Sequence, residues 1–273
     1  MTLIQIGALA VLGSFTGFAA GLLGIGGGMI MVPFLTFLFT LYGFPLEVVV
    51  HIAIATSMAT IIFTSLSSVR AHHKRGAVRW DIVILLVPGI LIGALLGGGK
   101  LFALLKTSWL SLIFALFVGF SGYQMLANKK PKPSRTLPGK LGMFGAGSFI
   151  GFLSSLVGAG GGFISVPFMT WCNVTMHSAV ATSAALGFPI ALASAIAYII
   201  SGYGNPNLPS GAIGYIYVPA LVCIALASVL TAPLGAKVAH QLNVAQLKKV
   251  FALVLFALSA YMLNKGLITL GLY

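Results

Sequence analysis

Hydrophobic positions in this chain run in long blocks, and the blocks form two sets of five. Hydropathy places them at about 3–23, 28–41, 46–69, 81–98 and 108–127, and again at about 141–157, 162–172, 177–201, 215–235 and 246–265. Most approach the roughly 20 apolar residues that a helix needs to cross a bilayer. Polar positions fall between the blocks, chiefly at 70–79 and 128–140. The second of these gaps, NKKPKPSRTLPGK, is basic and rich in proline, a composition that ends helices and joins units. It predicts an N-terminal transmembrane repeat over 1–127, a linker over 128–140 and a C-terminal transmembrane repeat over 141–273.

The two sets share more than length. Gly17 to Leu35 reads GFAAGLLGIGGGMIMVPFL, and Gly151 to Met169 reads GFLSSLVGAGGGFISVPFM. Each passage is followed by a matching block, HIAIATS from His51 to Ser57 and HSAVATS from His177 to Ser183. Further on, Trp109–Leu126 aligns with Gln246–Leu263. The pattern predicts an all-α polytopic membrane protein built from two pseudo-symmetric repeats. Backbone-rich breaks at corresponding places in both halves of such a protein are a signature of secondary transporters.

Whether each half crosses four times or five turns on the stretch 3–41, which exceeds the usual limit of about 25 residues for one span. One long bent helix there gives four-plus-four parallel halves. A separate short helix after the glycines gives five-plus-five inverted halves with both termini on one side. In the inverted case Arg70, Lys74, Arg75, Arg79, Lys129, Lys130, Lys132, Arg135, Lys140, Lys237, Lys248 and Lys249 share the linker side, leaving only Lys100, Lys106 and Lys265 of the 15 Lys and Arg opposite. Basic loops stay in the cytoplasm, so the inverted arrangement is expected, with the linker cytoplasmic and both termini outside.

Composition narrows the chemistry. Only 6% of residues are charged and 59% are hydrophobic, against about 25% charged in a soluble domain. The net charge of +13 sits in short loops, as in a membrane protein, and does not point to nucleic acid. The N-terminus has no basic region before its apolar run, so the first segment is expected to be a permanent span. Cys172 and Cys223 offer neither a disulfide framework nor metal-ligand spacing. Only two acids occur, Glu47 and Asp81, each at the start of a segment, so no buried carboxylate pair exists to hold a metal cation or relay protons.

The glycine blocks are poor material for a continuous helix, since each glycine costs about 1 kcal/mol relative to alanine. Gly26, Gly27 and Gly28, and their equivalents Gly160, Gly161 and Gly162, predict a helix, a break and a new helix starting at membrane depth. Unpaired N–H groups and the helix dipole at such a start favour an anion. Pro33 and Pro167 follow five residues on, as expected near a helix start. Glycines at four-residue spacing elsewhere, Gly13, Gly17 and Gly21, Gly93 and Gly97, and Gly147 and Gly151, read as close-packing faces. The hydroxyls of Thr56, Ser57, Thr182 and Ser183 are candidate ligands for anion oxygens, or bond their own helix carbonyls. His51 and His177 supply positive potential or proton coupling, or sit at helix ends near the headgroups. The glycine runs do not make a dinucleotide site, because no acid follows at the right distance, and no cofactor is expected. An intramembrane hydrolase is disfavoured because Ser57 and His51 are both mirrored in the other half.

At GLLGIGGGMIMVP and LVGAGGGFISVP, together with HIAIATS and HSAVATS, the chain resembles the TauE/SafE family of sulfite and organosulfonate exporters over essentially its whole length. The resemblance implies an inner-membrane transporter for a small sulfur-containing anion such as sulfite, thiosulfate, sulfoacetate or a related sulfonate. The expected partners are that anion and the lipid bilayer, and a homo-oligomer is compatible with this reading. The alternative is a passive anion channel on the same scaffold.

Overall fold

The computed structural model describes residues 2–23, 27–127, 135–238 and 244–271. The first half contains α1 (Leu3–Leu23), α2 (Gly28–Leu41), α3 (Val49–His73), α4 (Trp80–Gly98), the short α5 (Lys100–Leu104) and α6 (Thr107–Ala127). The second contains α7 (Lys140–Val157), α8 (Gly162–Trp171), α9 (Met176–Gly202), α10 (Val218–Val238) and α11 (Val244–Thr269). Between α9 and α10 lies a small antiparallel hairpin, β1 (Ala212–Ile213) and β2 (Ile216–Tyr217), with Ala212 opposite Tyr217. Each apolar run became a helix with nearly the expected limits. Of the 128–140 linker, residues 128–134 lie outside the described residues.

Among the described residues eight helical spans are long and apolar enough to cross a membrane. The protein is an all-α polytopic membrane protein. Its surface agrees: Leu96, Leu116, Leu226, Leu230 and Leu253 are exposed, which is stable only against lipid. The helices after the two glycine blocks are shorter, at 14 residues for α2 and 10 for α8. Pro33 and Pro167 lie in the second turn, one turn deeper than expected. Each leaves the carbonyl four residues earlier without its helical N–H.

Helices α3 and α9 occupy the middle. Buried residues make up 83% and 67% of their spans, against 28–50% in the other six. Around them, α4 packs along α7, α1 along α10, and α6 along α11. The contacts correspond when the halves are exchanged. Gly13 meets Ile224 and Gly17 meets Ser228, just as Gly147 meets Leu86 and Gly151 meets Ile90. Both of those pairs therefore run in the same direction. The α6–α11 pair runs the opposite way, because Gly122 meets Ala252 and Leu255 while Gly266 meets Ser108 and Leu112. Ser259 Oγ donates to Ala115 O at 2.7 Å in the same seam.

Glycine makes these seams possible. A Cβ on Gly93 would collide with the Ser148 carbonyl, and one on Gly151 with the Ile90 carbonyl. The four-residue glycine spacing thus is a packing face in α1, α4 and α7, with Gly21 as the exception, lining open space. Helices in lipid gain little from the hydrophobic effect and associate through such close backbone contact.

We expect Gly93→Ala and Gly151→Ala to lower stability in detergent by about 1–3 kcal/mol each, the usual range for overpacking. Gly7→Ala and Gly145→Ala meet nothing within 4 Å and should be neutral or stabilising by up to about 1 kcal/mol. Thermal unfolding of the four variants makes the comparison, and equal melting temperatures would contradict the close-packing account.

Candidate functional site

The two glycine breaks come together at the centre. Gly27 and Gly161 cap α2 and α8 with φ of 71° and 77°, and Gly158 ends α7 with φ of 73°. These left-handed values suit glycine alone without strain. A Cβ on Gly28 would strike the Gly158 carbonyl and lie 3.2 Å from Ala159 Cα. The breaks therefore touch, backbone to backbone, and leave no room for a ligand directly between Gly28 and Gly158. Gly26 lies outside the described residues. Ser57 Oγ donates to Gly158 O at 3.3 Å, so α3 of the first half holds the break of the second.

Open space lies beside this contact, between α3 and α9. A narrow crevice there is lined by Ala20 and Gly21 of α1, Ile61, Thr64, Ser65 and Ser68 of α3, Gly160, Ser183, Ala184 and Gly187 around α9, and Ala232 of α10. The α3 residues come from its C-terminal half and those of α9 from its first half. The crevice thus lies toward the face that carries the 74–79 loop and the described part of the linker. Its polar atoms are hydroxyls and backbone, and no charged side chain lines it. Ser183 Oγ accepts from Ser165 Oγ at 2.9 Å, which leaves the Ser183 proton free to donate. Thr64 and Ser65 donate to helix carbonyls of Ile61 and Ile62.

Of the residues expected to bind a ligand, Gly160 and Ser183 line the crevice. Thr56 and Thr182 do something else. Thr56 Oγ1 accepts the backbone N–H of Tyr217 at 3.0 Å, and Thr182 Oγ1 accepts that of Arg79 at 3.0 Å. Tyr217 and Arg79 immediately precede α10 and α4. Each threonine thus fastens a helix start that belongs to the other half. Beyond this latch Arg79 pairs with Asp81 at 2.6 Å, and that hydrogen-bonded carboxylate holds the guanidinium above its ordinary pKa.

The two histidines diverge and neither lines the crevice. His51 is buried, with Nε2 2.9 Å from Leu105 O and 3.1 Å from Phe102 O, so Nε2 carries the proton and donates. Its ring stacks on Tyr215 at 5.2 Å. His177 is exposed in the first turn of α9. Sequence reasoning missed Thr64, Ser65 and Ser68. The available signal was the run TSLSS at 64–68, whose hydroxyls at four-residue spacing share one helical face. It has no counterpart of equal polarity in the second half, where the aligned positions read Ile190, Ala191 and Ser194.

The family model described as "Sulfite exporter TauE/SafE" matches residues 9–262. A probable membrane transporter protein of Haemophilus influenzae is 34% identical over 93% of this chain and 97% of its own length. One of Methanocaldococcus jannaschii is 25% identical over 96% of both chains. A third, from Bacillus subtilis, is 31% identical over 72% of this chain and 79% of its own. No solved structure matches.

Replacing either latch threonine with valine keeps the shape and strands a backbone N–H. The cost should be about 1–3 kcal/mol for Thr56→Val, whose partner Tyr217 is buried. Thermal unfolding reads it. If Thr56→Val and Thr182→Val both unfold as the parent does, these hydroxyls do not join the halves.

Proposed function

The chain belongs to the TauE/SafE family, a family of membrane transporters rather than enzymes, and on that premise we propose that it moves a small sulfur-containing anion across a cell inner membrane by alternating access. Sulfite, thiosulfate, sulfoacetate and related sulfonates form the substrate class. The observation that carries this reading is the crevice beside the glycine breaks. Its polar groups are the hydroxyls of Thr64, Ser65, Ser68 and Ser183 and the backbone at Gly160, with no carboxylate to hold a cation. Thr64 and Ser65 spend their protons on the helix, whereas Ser183 Oγ accepts from Ser165 and can donate to an oxyanion, and a hydrogen bond to a charged group is worth about 1.5–3 kcal/mol. The chain's formal charge of +13 raises the local concentration of anions.

Alternating access fits the direction of the helices. A two-fold axis along the membrane normal would make α6 and α11 parallel. They are antiparallel, which supports an axis in the membrane plane and inverted repeats of five segments. Transporters of this construction bind near the repeat interface, which is where the crevice lies. Retention of basic loops then places the linker, Arg70 and Arg79 in the cytoplasm and both termini outside. A passive channel needs a continuous path. Phe102, Tyr198 and Tyr215 are buried on the terminal face, and this favours the carrier.

Proteoliposome flux tests the substrate class. Sulfite, thiosulfate, sulfoacetate and sulfate are compared with a sodium or pH gradient at clamped voltage. At least one sulfur anion should move faster than in protein-free vesicles, and accumulation driven by either gradient excludes a channel. Transport of none of them would overturn the substrate assignment. Ser183→Ala should weaken half-saturation about tenfold or more, the value of one charge-assisted hydrogen bond, while leaving the melting temperature within a few degrees. Impermeant thiol labelling of cysteines placed at Ser134 and Thr2 tests orientation. Labelling of the first from the outside would reverse it.

A further inference from the structure

We propose that the protein contains a second, closed anion path on the terminal face, lined by Ser57, Ser154 and Ser194 and sealed by Phe102, Tyr198 and Tyr215. This rests on the transport reading and names the other side of the same site. The argument starts from the exchange of halves that the helix contacts obey. Aligning the repeats pairs Ala20 with Ser154, Ser68 with Ser194, Ser183 with Ser57 and Ala232 with Ala94. It also exchanges Ile61 with Gly187, so the crevice's innermost wall maps onto itself. The partners of the open crevice's lining therefore outline a mirror-image crevice that starts from the same centre and leads to the opposite face.

Along the mirror path the side chains pack closely, with Ser57, Ser154, Ser194, Ala94, Ile190 and Ala191 at most 1% exposed, and the closure comes from the rings above them. Two of their hydroxyls, Ser154 Oγ and Ser194 Oγ, have no hydrogen-bond partner among the described residues. Ser154 Oγ lies 3.3 Å from where a Cβ on Gly161 would stand. A buried hydroxyl without a partner costs about 1–3 kcal/mol. Position 154 aligns with Ala20, which lines the open crevice, so an apolar residue satisfies the fold at this place. A serine there gains its partners only when the path fills with water or anion.

The seal is a cluster of rings. Phe102 and Tyr198 are fully buried with centroids 4.5 Å apart, and Phe102 meets Tyr215 edge-on at 5.6 Å. Tyr198 OH donates to the Ser155 carbonyl, directly beside Ser154, and lies one helical turn beyond Ser194. His51 braces the cluster through its ring contacts and its bonds to Phe102 O and Leu105 O. Among the described residues the linker side shows no matching pair of tyrosines. There the residues aligned with Tyr198, Tyr215 and His51 are His72, Ala77 and the exposed His177.

Site-directed labelling of the whole chain in proteoliposomes tests this, after Cys172 and Cys223 are replaced by alanine. Single cysteines go in as Ser154→Cys, Ser68→Cys and, as a buried control on α6, Ser111→Cys. With Phe102→Ala or Tyr198→Ala, terminal-face labelling of Ser154→Cys should rise at least tenfold, and linker-face labelling of Ser68→Cys should fall. Tyr198→Phe keeps the ring and loses only the bond to Ser155, so it should give a smaller change in the same direction. That variant carries the test if the alanine variants misfold. Ser154→Cys labelling no faster than Ser111→Cys in every background, with Ser68→Cys unchanged, overturns the second path. Reciprocal labelling without flux of any sulfur anion supports the path and counts against the substrate class alone.

Discussion

A single backbone contact at the centre organises the molecule: the approach of Gly28 to the carbonyl of Gly158. Inside a bilayer no water is available for a broken helix, so irregular backbone survives only where protein covers it. Two breaks placed against one another cover each other, and Ser57 supplies the hydrogen bond that the exposed carbonyl needs. Any side chain at Gly28 would push the breaks apart. Helices α3 and α9 are then drawn to the middle, because each half's glycine break lies against them, and the remaining helices surround that pair in exchanged couples.

Much of this was legible in the sequence because its signals are large. A bilayer demands long apolar runs, and ten of them stood out with limits close to those of the helices. The glycine ladders carried real information too, since a seam between two backbones tolerates little else. The positive-φ break residues Gly27 and Gly161 follow from the same logic. The helix direction that decides between parallel and inverted halves appears only in three-dimensional contacts such as Gly266 with Ser108.

The candidate site was less legible, and the reason is chemical. A hydroxyl has one donor and can spend it on its own helix, a neighbouring N–H or a ligand. The repeated ATS blocks identify an important place without saying which use applies. In the structure the threonines accept N–H groups from the opposite half, while Ser183 faces the crevice and Ser57 the break. The hydroxyls at 64 and 65 have no counterpart in the other half, where Ile190 and Ala191 stand, so the repeat does not mark them. The crevice mixes residues kept in both halves, Ser68, Ser183 and Ala232, with ones that differ, Thr64 and Ser65, and Tyr198 and Tyr215 of the ring cluster align with His72 and Ala77. Symmetry describes the scaffold, and departures from it determine which way the scaffold faces.

The threonine latches and exchanged helix couples bear on how the chain is made. α1 lies against α10, and the start of α10 hangs on Thr56, yet α10 begins only at Val218, long after α1 has left the ribosome. α1 must wait in the membrane with its glycine seam bare until α10 has been inserted. During that interval the exposed backbone faces of Gly13 and Gly17 can pair with the wrong helix, including the same helix of another nascent copy. Long-range pairing of this kind is slow and invites swapped assemblies. The order in which partners arrive therefore bears on folding as much as the contacts themselves do.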